Sequence, residues 1–215
     1  MILADCHVHS AFSDDCETPV EQMIETAIAQ GKKYFYLTDH QDFDYPVMDD
    51  GVTFQLAQEP YVRRMEELKY QYKDKIDIRI GVELGLMAHI KDKTEAYAKA
   101  YDYDFIIGSS HMVNGVDPYY PAYYADKNEY QAYEQYFLSI LDNVKAYDRY
   151  HVYGHLDYIM RYVPNQTKPY DPMAYGDIFR EILKNIIDHG KGIEVNTGSL
   201  YKGFDFPHPH AAILK

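Results

Sequence analysis

Tryptophan is absent from this sequence and cysteine nearly so, with Cys6 and Cys16 the only two. So few cysteines exclude a disulfide framework, and Cys6 reads as a small residue packed within a first strand. Positive charge is scarce too. Against 34 Asp and Glu stand 21 Lys and Arg, and the net charge of -13 argues against a nucleic-acid partner, because phosphate backbones demand a basic surface. Long apolar runs are missing: no window approaches the ~20 residues of a membrane span, and no basic, apolar leader follows Met1, so the expectation is a cytoplasmic protein with no membrane partner. No internal repeat or low-complexity segment interrupts the chain.

What is present describes a globular protein. Hydrophobic residues make up 47% and charged residues 26%, and no break in composition divides the chain, so a single domain over 1–215 is expected. Tyrosine is unusually common, with 24 copies. Most read as half-buried rings with wet hydroxyls; the cluster of Tyr119, Tyr120, Tyr123 and Tyr124 reads instead as a pocket wall.

Strand-like and helix-like segments alternate. Strands are expected over 2–6, 34–38, 76–84, 105–108, 150–153 and 192–196, with helices near 19–30, 60–73, 92–101, 128–146 and 172–189. The first helix shows Thr18 as a candidate N-cap, Pro19 at the first helical position, Gln22 to complete a capping box and Gly31 to close it. Repeated strand and helix predict a parallel α/β sheet or barrel.

The strand ends are where chemistry is written. Asp5, His7 and His9 follow the first strand, Asp39 and His40 the second, Glu83 lies at the end of the third, His111 follows the fourth, His155 and Asp157 the fifth, and Asn196 ends the sixth. In open α/β sheets and barrels, catalytic groups sit at the carboxyl ends of strands. In extended chain, residues two apart face the same way, so His7 and His9 converge on one point, a metal-ligand spacing. Together these clusters predict a multinuclear metal site, whose cations would also reconcile an acidic chain with an anionic substrate. His89 and His151 read as structural or exposed, His189 as a helix C-terminal cation, and His208 and His210 as members of a Pro-flanked loop.

Taken in order, His7-x-His9, Thr38-Asp39-His40, Gly81-Val82-Glu83, Ser110-His111 and Gly154-His155-x-Asp157 resemble the motifs of the PHP (polymerase and histidinol phosphatase) superfamily. "GSSHMVNGVDPYY" from Gly108 and "GHLDYIMRY" from Gly154 are similar to the monofunctional histidinol-phosphate phosphatases. The resemblance implies a distorted (β/α)7 TIM-like barrel holding two to three divalent ions, Zn, Mn or Fe. It implies His7, His9 and a bridging Glu83 at the first ion, Glu83, His111 and His155 at the second, and His40 with either Asp14 or Asp15 at the third. Asp5, Asp39 and Asp157 would accept hydrogen bonds from neighbouring rings.

Two departures shape the functional expectation. No Asp-x-His motif follows Asn196, so the barrel is expected to lack its seventh strand through truncation. Arg161 matches one phosphate-binding Arg of the phosphatases, whereas Leu200-Tyr201-Lys202 stands where the other belongs, leaving Lys202 as a point charge without the fork of Arg. The expected activity is metal-dependent hydrolysis of a phosphoric monoester, L-histidinol phosphate, a small phosphorylated metabolite of histidine biosynthesis. Glu83, His155 and Asp157 would be catalytic, a hydroxide bridging the metals would attack, and Arg161, Lys202, Tyr119 and Tyr120 would bind substrate. The rival readings are a PHP-type phosphodiesterase or nuclease acting on oligonucleotides, and a catalytically impaired truncated binding protein.

Overall fold

The computed structural model describes residues 2–47, 51–164 and 169–215. The chain forms two compact units, one of residues 1–84 and 96–107, the other of residues 85–95 and 108–215.

The first unit is built on parallel strands. β1 (Ala4–Asp5) pairs with β2 (Tyr34–Leu37), which pairs with β4 (Asp77–Gly85), while β3 (His40–Asp42) lies beside β4. Register sets the site: Leu37 stands opposite Ile80, so the chain positions three further on, His40 and Glu83, reach the same level. The Glu83 N–H donates to the Asp39 carbonyl at 3.0 Å, which extends that match beyond β2. β4 buries Ile78, Ile80, Val82 and Leu84 on one face, and from Gly81 onward the opposite face is buried as well, while Asp77 and Arg79 before it are half-buried. Helix α1 (Val20–Ala29) buries Val20, Ile24 and Ala27, and α2 (Gln58–Tyr72) buries Tyr61, Met65, Leu68 and Tyr72. Of these, each Val, Ile, Leu or Met side chain contributes about 1.5 to 3 kcal/mol on leaving water.

Gly81 is required by close approach. A Cβ there would stand 2.8 Å from the Phe105 carbonyl oxygen and from Thr38 Cγ2, and 2.9 Å from the Leu37 carbonyl oxygen. Buried Tyr61 donates its hydroxyl to the Leu37 and Gly81 carbonyls at 3.1 and 2.9 Å, tying α2 to the strands.

After β4 the chain forms α3 (Lys91–Lys99), and in the second unit α4 (Glu129–Ala146) starts with a capping box between Asn128 and Gln131. It packs on α5 (Gly176–Asp188), with the Phe137 and Phe179 rings 4.5 Å apart. β6 (Val152–Tyr153) pairs in parallel with β7 (Gly192–Ile193). The end of β5 (Phe105–Ser109) reaches this unit, where the Gly108 carbonyl accepts from Gly154 N–H at 2.9 Å. A buried network fixes Ser110, the residue before His111. Its Oγ lies 2.6 Å from Tyr153 Oη and accepts from Asn143 Nδ2 at 2.8 Å, and its carbonyl accepts from Tyr136 Oη at 2.9 Å.

Several expectations need correction. Helix α1 begins at Val20 with extended Pro19 as its N-cap and no side-chain cap, because the Pro19 carbonyl takes the first helical bonds from Gln22 and Met23. The Thr18 carbonyl instead accepts from Ala11. Gly31 closes the helix at φ 73°, a conformation that suits glycine. β1 is confined to Ala4–Asp5, and Cys6 beyond it is exposed rather than packed. The strand His40–Asp42 was not expected, and β7 stops at Ile193 because Asn196 turns aside into an antiparallel bridge with His208.

Candidate metal centre

In the first unit the strand ends bring nitrogen and oxygen donors to one place. His7 Nε2 and His9 Nε2 lie 3.0 Å apart, and Glu83 Oε2 is 3.0 Å from the first and 3.1 Å from the second. Val8 holds the two histidines in place: its N–H reaches Thr38 Oγ1 at 3.1 Å and its carbonyl accepts from Thr38 N–H at 2.9 Å. Asp39, fully buried, accepts from Ser10 N–H at 2.6 Å and lies 3.0 and 3.1 Å from Ser10 Oγ. It therefore anchors the turn after His9 rather than an imidazole, and burial pushes its pKa up against the pull of the Ser10 bonds. Asp5 likewise accepts from a backbone group, the His7 N–H, at 3.5 Å.

His40 and Asp15 extend the cluster. His40 Nδ1 is 3.2 Å from both Glu83 Oε2 and Asp42 Oδ2, and its Nε2 is 3.6 Å from Asp15 Oδ2. Asp15 Oδ2 also lies 3.0 Å from His9 Nδ1. Burial raises the Asp15 pKa, but the hydrogen bonds to His40 and His9 outweigh it and hold the carboxyl well below the usual range. Asp14 points elsewhere. Its Oδ2 accepts from Thr53 N–H at 2.7 Å and Phe54 N–H at 2.8 Å, and lies 3.2 Å from Thr53 Oγ1. The choice the sequence left open between the two acids thus has a geometric answer: Asp15 joins the histidines.

The second unit holds two further imidazoles, His111 and His155, both buried, with ring centroids 5.6 Å apart and Tyr158 beside them at 5.8 and 4.9 Å. The His155 N–H donates to Glu194 Oε2 at 3.0 Å. Arg161 ends the short 3-10 turn Tyr158–Arg161; its guanidinium lies 5.3 Å from the Tyr158 ring centre and its Nη2 donates to Asn196 Oδ1 at 3.3 Å. Its buried Nε has no hydrogen-bond partner among the described residues. Tyr119 is exposed, its ring 5.1 Å from Tyr120 and 5.4 Å from Tyr162. Exposed Lys202 places Nζ 5.9 Å from the Tyr162 ring centre.

Asp157 does meet an imidazole, as the sequence suggests, and the ring is that of His208. Within its Pro-flanked loop His208 is fully buried, its Nδ1 2.6 Å from Asp157 Oδ1, while Asp157 Oδ2 accepts from His210 N–H at 2.8 Å. Both Asp157 oxygens are thereby engaged with the 208–210 segment. Glu194 and Asp42 went unnoticed in the sequence. Each lies two residues from another polar group, Asn196 and His40, the same spacing that singles out His7 and His9.

A family model for the PHP domain matches residues 5–198. The chain belongs to the PHP domain family. It is 34% identical over 194 residues to the histidinol-phosphatase of Lactococcus lactis subsp. lactis, covering 90% of this chain and 71% of that protein. The crystal structure of the histidinol phosphate phosphatase from Lactococcus lactis subsp. lactis, complexed with Zn, L-histidinol and phosphate, superposes with a TM-score of 0.84 at 33% identity over 90% of this chain and 73% of that one. A solved chain from Listeria monocytogenes, 21% identical, shares the fold with a TM-score of 0.79 over 98% and 89%. The α/β fold is accordingly that of the PHP-type barrel.

The donor set suits a divalent metal. Two imidazole nitrogens and one carboxylate oxygen at mutual distances of 3.0 to 3.1 Å form a compact triangle. Ligand atoms of a tetrahedral zinc site stand about 3.3 Å apart for bonds of about 2.0 Å, so an ion fits with a small opening of the triangle.

Proposed function

We propose that this chain is a metal-dependent phosphoric monoester hydrolase acting on L-histidinol phosphate. The triangle of His7, His9 and Glu83 carries the reading, in a chain that shares a third of its sequence with a histidinol-phosphatase. His7, His9 and Glu83 would hold one divalent ion, and His40 with Asp15 supplies donors for another. His111 and His155 supply imidazoles in the second unit. When bound, such ions polarise phosphoryl oxygens and lower the pKa of water enough to make a nucleophile at neutral pH.

The remaining work falls to the chain. Asp15 fixes His9 through Nδ1, which leaves Nε2 directed at the Glu83 side. Arg161 offers a cation whose buried Nε meets no acceptor among the described residues, suited to a phosphate oxygen, and Tyr158 holds the guanidinium by its ring face. Asp157 braces the 208–210 segment instead of meeting substrate. Lys202, Tyr119 and Tyr120 would line the approach. A small metabolite of this kind points to the cytoplasm.

The test compares turnover of L-histidinol phosphate with that of bis-p-nitrophenyl phosphate, with metal content measured by mass spectrometry before and after chelation. Monoester hydrolysis that disappears on chelation and returns with Zn or Mn supports the reading. Diester turnover without monoester turnover, or full activity after the metal is stripped, overturns it.

A further inference from the structure

Four polar groups in the second unit form a continuous chain. The His155 N–H donates to Glu194 Oε2 at 3.0 Å; the other oxygen of Glu194, Oε1, accepts from Asn196 Nδ2 at 3.1 Å; and Asn196 Oδ1 accepts from Arg161 Nη2 at 3.3 Å. The Asn196 amide is thus oriented by its own bonds. Its donor end faces a carboxylate and its acceptor end faces a cation, and the reversed amide would set Nδ2 against Arg161 and Oδ1 against Glu194.

The backbone fixes where this amide sits. Asn196 N–H donates to the His208 carbonyl at 2.6 Å and its carbonyl accepts from His208 N–H at 2.9 Å, and His208 is itself locked to Asp157. Gly198 closes the other side. Its N–H donates to Asn196 Oδ1 at 2.9 Å, and a Cβ on Gly198 would stand 3.0 Å from that oxygen and 3.8 Å from Arg161 Nη2. A side chain here would meet the guanidinium in ordinary contact but crowd the Asn196 oxygen, which would have to give way.

From this geometry we infer that Asn196 is a positioning residue for Arg161, coupling the phosphate-binding guanidinium to the strand end that carries His155 through Glu194. This rests on the reading of Arg161 as a phosphate ligand. Asn196 need not touch substrate. Its oxygen holds one arm of the guanidinium, and the rest of the fork remains for phosphate, which lowers the ordering cost on binding. Losing that hold weakens phosphate capture with little change in the chemical step.

The experiment is a cycle of Asn196→Ala, Arg161→Ala and the double variant, read by steady-state kinetics on L-histidinol phosphate, by calorimetry with inorganic phosphate, and by metal content. Asn196→Ala is expected to raise KM about 3- to 10-fold, with a smaller change in kcat, unchanged metal content and a parallel loss of phosphate affinity. The double variant should lie within about 2-fold of Arg161→Ala, because the two residues act as one. Gly198→Ala keeps every side chain yet presses on the Asn196 oxygen, and should raise KM about 2- to 3-fold; it also serves should Asn196→Ala fail to fold. An unchanged KM in Asn196→Ala, or a full multiplicative effect on top of Arg161→Ala, overturns the inference while leaving Arg161 as a phosphate ligand. An unchanged KM in Arg161→Ala removes the phosphate reading and the inference with it.

Discussion

Replacing Glu83 by Gln keeps the shape of a fully buried side chain and removes its charge. The oxygen concerned stands 3.0 Å from His7 Nε2, 3.1 Å from His9 Nε2 and 3.2 Å from His40 Nδ1. A charge-assisted contact contributes about 1.5 to 3 kcal/mol, so loss of the carboxylate should weaken ion binding by about 100-fold. Mass action turns this into stability. With zinc at about 1,000 times the wild-type Kd, the folded protein gains about 4.1 kcal/mol, whereas a variant that binds about 100-fold more weakly gains only about 1.4 kcal/mol. For a chain of this length each kcal/mol moves Tm by about 2 to 4 °C, so a zinc-dependent rise of about 8 to 16 °C should shrink to about 3 to 6 °C. Thermal unfolding of the chelated and zinc-loaded forms of both proteins measures the difference. If Glu83→Gln climbs with zinc as far as the wild type, the carboxylate is not a ligand.

Arg161→Ala should raise KM for a phosphate monoester about 10-fold or more and leave metal content intact, as steady-state kinetics and mass spectrometry will report. The two neighbouring acids should separate cleanly: Asp15→Ala lowers metal content, whereas Asp14→Ala leaves it unchanged and costs about 1 kcal/mol in urea unfolding by freeing the Thr53 and Phe54 amides. Equal metal loss in both variants would contradict the assignment. Asp104 gives a pH signature. Burial pushes its pKa up, but the Ile80 amide at 2.9 Å and the Lys69 and Arg79 cations outweigh that and lower it. A depressed folded pKa means stability present above the unfolded value of about 3.9 and lost as pH falls through the folded one. Asp104→Asn should therefore be less stable than wild type by about 1 to 2 kcal/mol at pH 7, with the gap narrowing below about pH 4; a constant gap across an acid titration would show that the ionised form is not what stabilises.

Much of the fold could be read from local signals, because helices and buried strands carry them. α4 begins where Asn128 and Gln131 form their box, and the alternation of Ile78, Ile80 and Val82 with Asp77 and Arg79 marks a strand with one buried face. His7 and His9 were legible as a pair because two-residue spacing converges even where, as here, the ladder has already ended at Asp5. The match of His40 to Glu83 needed only strand order, since equal offsets from a paired register reach one level.

What the sequence hid depends on partners far along the chain. Asp14 and Asp15 are adjacent acids in one turn, and no local property separates them. The decision comes from Thr53 and Phe54, whose amides capture Asp14 and leave Asp15 to His9 and His40. His208 shows the same logic. A histidine between two prolines reads as loop, and nothing local marks it for burial beside Asp157, fifty-one positions earlier, whose oxygen lies at 2.6 Å. Next to that pair the backbone of residue 208 bridges Asn196, which lies three positions past the end of β7 and sets its amide oxygen against Arg161. The position that reads as the end of a strand is in the fold a bridge to a distant segment, and only that distant partner, invisible in the local sequence, shows why its amide meets a cation.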